Sequence, residues 1–149
     1  MKIVEARDPA EIATISELFV EYWESFGFTP CFQGFGEEVA GLPGKYIALG
    51  LLLVEAQAAG CVALRPLDAT RAEFKRLYVR PAYRGQGTGR VLLAWVMERA
   101  RQLGYRELVA DTMPEMISAL AMYDRMGFER TGPYSDDPTP GAVYLRMKL

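Results

Sequence analysis

The chain has 149 residues, half of them apolar, and a net charge of −2 at neutral pH. This length supports one domain with a hydrophobic core, and we interpret residues 1–149 as a single domain. The chain contains no histidine and only two cysteines, Cys31 and Cys61. The composition therefore excludes Ser/His/Asp and Cys/His catalysis and argues against a metal site.

Charge and hydropathy also limit the partners. No cluster of Lys and Arg predicts a nucleic-acid face, and the longest apolar run, near residues 47–54, is too short to cross a membrane. Charged residues come early in the N-terminal stretch, which does not resemble a signal peptide. We therefore expect a cytoplasmic protein that binds neither nucleic acid nor membrane.

The first predicted elements are a strand over Lys2–Glu5 and an amphipathic helix. Asp8, Pro9 and Glu11 have the spacing of an N-cap, a first-turn proline and a capping-box partner. The apolar residues that follow recur at helical spacing until Gly27. A short helix is expected over residues 35–42, with Glu37 and Glu38 on its solvated start.

The rest of the chain alternates strands with two further helices. Gln57-Ala58-Ala59 is predicted as a tight hairpin turn, and a helical stripe from Leu92 to Leu103 ends at Gly104. Residues 133–141 are rich in proline and aspartate and indicate a polar loop. The predicted later strands are 51–55, 60–67, 71–79, 107–111, 128–131 and 143–148, with the last helix over 116–126.

A glycine-rich turn lies between the strand of residues 71–79 and the helix that follows. Its sequence is Arg84-Gly85-Gln86-Gly87-Thr88-Gly89. Backbone N–H groups at a helix N-terminus lack intrahelical partners and attract anions, and glycines let a ligand come close to the backbone. The spacing fits neither a Walker loop nor a dinucleotide fingerprint. The expected ligand of this turn is nevertheless a phosphate or pyrophosphate.

The pattern Arg84-x-x-Gly87-x-Gly89 resembles the pyrophosphate loop of the GNAT superfamily of acyl-CoA-dependent N-acetyltransferases. The later run Ala119-x-x-Met122-Tyr123-x-x-x-Gly127-Phe128 is similar to the family's late helix and its exit. The resemblance spans roughly residues 51–149. It implies an α/β (α+β) GNAT fold with a mixed sheet of about seven strands, splayed between strands 4 and 5, and about four helices.

The resemblance also implies acetyl-CoA as cosubstrate. Its pyrophosphate would bind the loop Arg84, Gly85, Gln86, Gly87, Thr88 and Gly89. Its pantetheine arm would lie along the main chain of Leu77, Tyr78 and Val79 as if it were another strand, while the side chains there pack in the core. An N–H group of the same main chain would stabilise the thioester oxygen. Many members have an Asn that contacts pantetheine at the position of Met116, so this chain departs from the family pattern there.

Two side chains are the predicted catalytic residues. Tyr123 matches the family tyrosine that protonates the departing thiolate, and Glu73 aligns with a general base of some members. Each has a structural alternative, because Tyr123 could be a packed core tyrosine and Glu73 an acid on a polar strand face. Asp111 could instead orient the amine.

The implied activity is acetyl transfer to a primary amine of a small molecule by direct attack. Acetylation of a protein N-terminus or lysine, and a non-catalytic acyl-CoA-binding module, remain alternatives. The family places its acceptor-side wall after the first helix, so Phe28, Phe32 and Phe35 either line a pocket or pack locally. A homodimer through C-terminal edge strands is also open.

Overall fold

The computed structural model describes residues 1–27, 34–136 and 138–149. A short 3-10 turn, Pro81–Tyr83, leads from the fourth strand into the glycine-rich turn. The strands and α-helices of the described residues are, in chain order, β1 Lys2–Glu5, α1 Pro9–Glu24, α2 Phe35–Ala40, β2 Ala48–Val54, β3 Gln57–Pro66, β4 Arg71–Val79, α3 Thr88–Gln102, β5 Glu107–Thr112, α4 Ile117–Arg125, β6 Glu129–Thr131 and β7 Val143–Lys148.

The seven strands form one mixed sheet in the order β1-β2-β3-β4-β5-β7-β6. Only β4 and β5 run parallel; the other neighbouring strands are antiparallel. The chain must cross the sheet through α3 to place β5 beside β4 in parallel, as such connections usually do. The predicted fold class, a seven-stranded mixed sheet flanked by four helices, is confirmed over the described residues.

Helix α1 begins as its sequence predicts. The Asp8 carboxylate accepts a hydrogen bond from the Glu11 N–H at 2.8 Å, and the Glu11 carboxylate accepts one from the Asp8 N–H at 3.2 Å. Pro9 occupies the first turn, where its missing N–H costs nothing. The chain's own side chains thus satisfy donors that a helix start otherwise leaves open.

Two cores lie on opposite faces of the sheet. Helices α1 and α2 cover one face with fully buried residues such as Ile15, Leu18 and Phe19. Helix α3 covers the other with Leu92, Leu93 and Val96. Leu103, predicted in the same stripe, is 40% exposed, because α3 ends one residue earlier.

The predicted hairpin turn at Gln57-Ala58-Ala59 was wrong. Val54 pairs with Gln57, so Glu55 and Ala56 make the turn, and Ala59 is fully buried in β3. Both turn residues have positive φ, 50° and 66°. Such a two-residue turn ordinarily carries glycine or asparagine, so Glu and Ala gave no sequence signal for it.

Candidate active site

The sheet opens between β4 and β5. Their pairing covers only three residues of each strand, Arg71–Glu73 against Glu107–Val109, although β4 continues to Val79 and β5 to Thr112. A bulge in β4 lies just beyond the paired part, where Arg76 has a φ of 59° and the register with β3 shifts. Because a bulge bends its strand, β4 turns away from β5 at this point.

The main chain of Leu77, Tyr78 and Val79 follows this bulge. The Arg80 N–H donates to the Ala59 carbonyl at 2.8 Å, so the backbone N–H and C=O groups of Arg80, and of Tyr78 two residues before it, face β3. Because the backbone alternates, the N–H and C=O groups of Leu77 and Val79 face away from β3, into the opening. Their side chains pack with the core, as predicted. The opening therefore exposes a strand edge to which an extended ligand could add.

The glycine-rich turn leads into α3 without a side-chain cap. Gly87 is the N-cap residue with a φ of 76°, and a Cβ there would meet no atom of the described residues within 4 Å. The Thr88 hydroxyl, buried, donates to the Tyr83 carbonyl at 2.9 Å and anchors the turn. The first N–H groups of α3 therefore have no side-chain cap among the described residues, and the open space at Gly87 makes them accessible to a phosphate.

The other residues of the loop have different surroundings. A Cβ on Gly89 would lie 3.4 Å from Met122 Sδ, so this glycine lets α3 pass close to α4. Gly85 has a φ of 78° and open space beside it, and Gln86 is exposed. Arg84 Nε donates to the Val79 carbonyl at 2.8 Å, and its guanidinium lies 5.7 Å from the centre of the Tyr78 ring. Arg84 thus links the loop to the end of β4.

Tyr123 lies on α4 with its ring in the core. The ring centre is 5.6 Å from that of Phe74 and 5.9 Å from that of Phe128. Burial raises the pKa of the Tyr123 phenol, so it holds its proton at neutral pH. Its hydroxyl forms no hydrogen bond with the described residues, yet it is not sealed from solvent. This arrangement, a packed ring with an unpaired hydroxyl, is compatible with a proton donor. The role of Tyr123 as the general acid stays a prediction.

Glu73, the other predicted catalytic residue, is only 5% exposed. One carboxylate oxygen accepts a short hydrogen bond from the Tyr134 hydroxyl, and the other lies 3.3 Å from Arg65 Nε. Burial and the adjacent Glu73 carboxylate raise the pKa of Tyr134, which keeps this hydroxyl a donor. Both oxygens of Glu73 are therefore occupied, and its role as a base stays a prediction.

A cavity of about 320 Å³ lies beside the opening, on the sheet face that α1 covers. Its aromatic wall comes from the end of α1 and from Phe26 just after that helix. Burial raises the pKa of the Tyr22 phenol to about 12, which leaves that group neutral. The segment before β7 closes another side. The lining residues are Tyr22, Trp23, Phe26, Lys75, Arg76, Asp111, Thr112, Met113, Met116, Thr139, Pro140 and Ala142.

Of the residues that the structure describes, three with charged side chains line this cavity. The Arg76 guanidinium donates two hydrogen bonds to Glu38, each 3.0 Å, and lies over the Trp23 ring at 5.1 Å. Asp111 and Lys75, in contrast, form no side-chain hydrogen bond or ion pair with any residue that the structure describes. Arg76 is thus held by the fold, whereas Asp111 and Lys75 are available to a ligand.

The structure decides some of the predictions for the segment after α1. Glu38 was expected on a solvated helix start, but its side chain is only 12% exposed and pairs with Arg76, because the bulge in β4 brings that arginine beneath α2. Phe35 stacks on Trp23 with ring centres 4.4 Å apart and packs in the core, so the local-packing alternative holds for it. Phe28, Phe32 and Cys31 lie outside the described residues.

Sequence reasoning missed several residues at this site. Lys75, Arg76 and Tyr134 gave no signal, because their partners are distant in sequence. Met116 does line the cavity, and its Sδ accepts a hydrogen bond from the Thr112 hydroxyl at 3.2 Å. Among the described residues no group of three or more metal-ligating side chains occurs, and no described helix is long and apolar enough to cross a membrane.

Comparisons with known proteins agree with this geometry. A model of the acetyltransferase (GNAT) family matches residues 12–128. An uncharacterized N-acetyltransferase of Schizosaccharomyces pombe is 35% identical over 95% of this chain and 90% of its own. A GNAT acetyltransferase structure from Staphylococcus aureus covers 99% of the chain and 98% of its own at 18% identity, with a TM-score of 0.82. A putative acetyltransferase from Salmonella typhimurium, solved with its cofactor acetyl-CoA, covers 100% and 94% at 19% identity, with a TM-score of 0.76.

The chain therefore belongs to the acetyltransferase (GNAT) family, which confirms the resemblance seen in its loop and late helix. The comparisons also confirm the prediction of an acetyltransferase enzyme, while the acceptor stays a prediction.

Proposed function

We propose that this protein transfers the acetyl group of acetyl-CoA to a primary amine of a small molecule by direct attack, in the cytoplasm. The observation that carries the proposal is the opening between β4 and β5, which has unsatisfied N–H groups at one end and the cavity of about 320 Å³ beside it. The buried free thiol of Cys61 is in keeping with a reducing compartment.

The residues around the opening fit acetyl-CoA. The start of α3 offers uncapped N–H groups, and the space beside Gly85 and Gly87 lets a pyrophosphate approach them. Leu77 presents its N–H and C=O groups and Val79 its N–H group to an extended pantetheine arm, whereas Arg84 already donates to the Val79 carbonyl. An N–H from the same edge would stabilise the thioester oxygen as negative charge builds on it.

Asp111 is our candidate for the group that receives the amine. It lines the cavity without a partner among the described side chains, so its carboxylate can bind and orient an ammonium group. The amine attacks only after it loses a proton, which Asp111 can accept or pass to solvent. Glu73 is the second candidate for the base, although Tyr134 and Arg65 already occupy its oxygens.

Tyr123 is our candidate for the acid that protonates the departing thiolate. Its raised pKa keeps the proton in place but makes transfer more uphill than for an ordinary tyrosine. Transfer is eased when the thiolate develops in an equally desolvated place, because desolvation raises the pKa of a thiol as well. The open hydroxyl supports this role.

The size and enclosure of the cavity favour a small-molecule acceptor over a peptide. Its volume lies at the lower end of the range for small-molecule sites, and the α1 wall and the segment before β7 enclose it from two sides. A protein N-terminus or lysine would have to enter as a side chain or chain end. Acetylation of such an acceptor is the second candidate function.

Release of the free CoA thiol tests the proposal. The protein, acetyl-CoA and a panel of small primary amines and lysine-containing peptides are mixed, and the acetylated product is identified by mass spectrometry. We expect acceptor-dependent release, with Asp111→Asn raising KM for the amine at least tenfold. The control Asp124→Asn, which changes an exposed aspartate paired with Arg130, should leave KM within about twofold. Faster turnover of peptides would favour the second candidate, and tight acetyl-CoA binding without turnover would indicate a binding module.

A further inference from the structure

We propose that the acceptor is an α-amino acid with an apolar side chain, bound between Asp111 and Lys75. This inference rests on the proposed function, because it names the chemical class that the same cavity takes. It assigns Asp111 to the ammonium group and Lys75 to the carboxylate of the acceptor. The α1 aromatic wall then receives the apolar side chain.

The strand register places the two charged groups opposite each other. Glu73 pairs with Val109 in the parallel ladder, and both strands continue beyond this pair. Side chains two positions on return to the same face, so Lys75 and Asp111 are the next facing pair. In a closed sheet, neighbouring strands lie about 5 Å apart and such a pair would form an ion pair. Here the pairing of the two strands ends at Glu73 and Val109, and no ion pair among the described residues joins Lys75 to Asp111.

A facing cation and carboxylate held apart are complementary to a zwitterion. A ligand with ammonium and carboxylate on one carbon presents a positive group to Asp111 and a negative group to Lys75. A plain amine would satisfy Asp111 and leave Lys75 without a partner. Arg76 cannot take the place of Lys75, because Glu38 already binds its guanidinium.

The remaining walls specify an apolar side chain. Tyr22 and Phe26 pack edge to face with ring centres 5.0 Å apart, and both line the cavity. Met113 and Met116 add thioether side chains, which adapt to apolar ligands of differing shape. These apolar lining residues are suited to an aromatic or branched aliphatic group.

Binding without turnover tests this class directly. Calorimetry with the CoA-loaded protein would compare L-phenylalanine and L-leucine with phenethylamine and isopentylamine, which lack the carboxylate, and with 3-phenylpropanoate, which lacks the amine. We expect each amino acid to bind at least tenfold more tightly than its truncated counterparts. Loss of one charge-assisted contact typically weakens binding by about 10- to 100-fold.

Two variants assign the charges. Lys75→Gln should weaken L-phenylalanine binding by about 10- to 100-fold and so remove most of its advantage over phenethylamine, whereas Asp111→Asn should remove the advantage over 3-phenylpropanoate. Lys2→Gln, which removes the same charge from the far edge of the sheet, is the control and should preserve both preferences. Equal binding of phenethylamine and L-phenylalanine by the unaltered protein would overturn the inference.

Turnover separates this inference from the proposed function. If the amino acid binds through both charges but no N-acetyl product forms with any acceptor, the transferase proposal fails and the binding class stands. If phenethylamine is acetylated with a higher kcat/KM than L-phenylalanine, the transferase proposal stands and the amino-acid class is wrong.

Discussion

The N-termini of α1 and α3 are built in opposite ways. Helix α1 begins at Asp8, whose carboxylate accepts from Glu11 while Glu11 accepts in return, so side chains of the chain satisfy its donors. Helix α3 begins at Gly87, which has no side chain to offer, and its first N–H groups stay open. Glycine in place of a side-chain cap costs only a few tenths of a kcal/mol, so α3 leaves its N–H groups open at a small cost in stability. The difference shows where the fold gives up stability to keep a site for an anion.

Other pairs of chemically similar side chains differ in the same way, one having a hydrogen-bond partner within the protein and the other having none among the described residues. The Tyr46 hydroxyl donates to Glu38 at 2.9 Å, whereas the Tyr123 hydroxyl is left without a described partner. Glu73 is held by two partners, whereas Asp111 has none among the described side chains. The open groups lie around the gap between β4 and β5. Altering a polar group that has a hydrogen-bond partner within the protein should therefore change stability. Altering a group without such a partner should change binding or turnover.

The largest effect is expected for Tyr123→Phe. The change keeps the ring packed between Phe74 and Phe128 but removes the proton, so kcat should fall by about 10²- to 10⁴-fold. Acetyl-CoA affinity and Tm should change little, because the hydroxyl has no described partner to lose. Steady-state kinetics and thermal melting measure these quantities.

Tyr46→Phe is the matched control for that variant. It breaks a hydrogen bond to a charged group, so it should lower the free energy of unfolding by about 1.5 kcal/mol and leave kcat within about threefold. A kcat for Tyr123→Phe within threefold of the original would make Tyr123 a packing residue and remove it from the mechanism.

Gly87→Val should weaken acetyl-CoA binding by about 2 kcal/mol or more, close to thirtyfold. A branched side chain would occupy the space through which the pyrophosphate approaches the α3 N–H groups. Gly104→Val is the control at the other end of α3, where φ is 89° and a Cβ also meets no described atom within 4 Å. Both variants carry similar backbone strain, so only the first should lose affinity in calorimetry. Equal affinities would place the pyrophosphate elsewhere.

Glu38→Gln should lower the free energy of unfolding at pH 7 by about 1.5 kcal/mol. Burial alone would raise the pKa of Glu38, but the Arg76 hydrogen bonds and charge outweigh it and hold the pKa below 4.5. The ionised form therefore stabilises the fold above pH 4.5, and this contribution is lost as the pH falls through the lowered pKa. Denaturant unfolding at several pH values should show a smaller acid dependence in the variant. An identical pH dependence would mean that the Glu38–Arg76 pair contributes nothing measurable.

Sequence reasoning succeeded where the signal was local. The capping box of α1 and the glycine-rich turn each lie within a few consecutive residues, and β4 and β7 have the predicted bounds. It failed where distant segments meet or where backbone strain has no typical residue. The Arg76 bulge with its φ of 59°, the turn at Glu55 and Ala56, and the Tyr134–Glu73 hydrogen bond are of this kind. The facing of Lys75 and Asp111 needed the β4–β5 register.

The smallest expected effect comes from removing the α1 cap with Asp8→Ala. The variant leaves the Glu11 N–H without its side-chain acceptor, so the free energy of unfolding should fall by about 1 kcal/mol. For a chain of this length that change corresponds to a Tm lower by about 2 to 4 °C. Because the α1 cap contributes to stability and is not part of the proposed acetyl-CoA site, acetyl-CoA affinity and kcat should stay within about twofold. If Asp8→Ala weakened acetyl-CoA binding as much as Gly87→Val does, the two helix starts would not divide into one for stability and one for ligand.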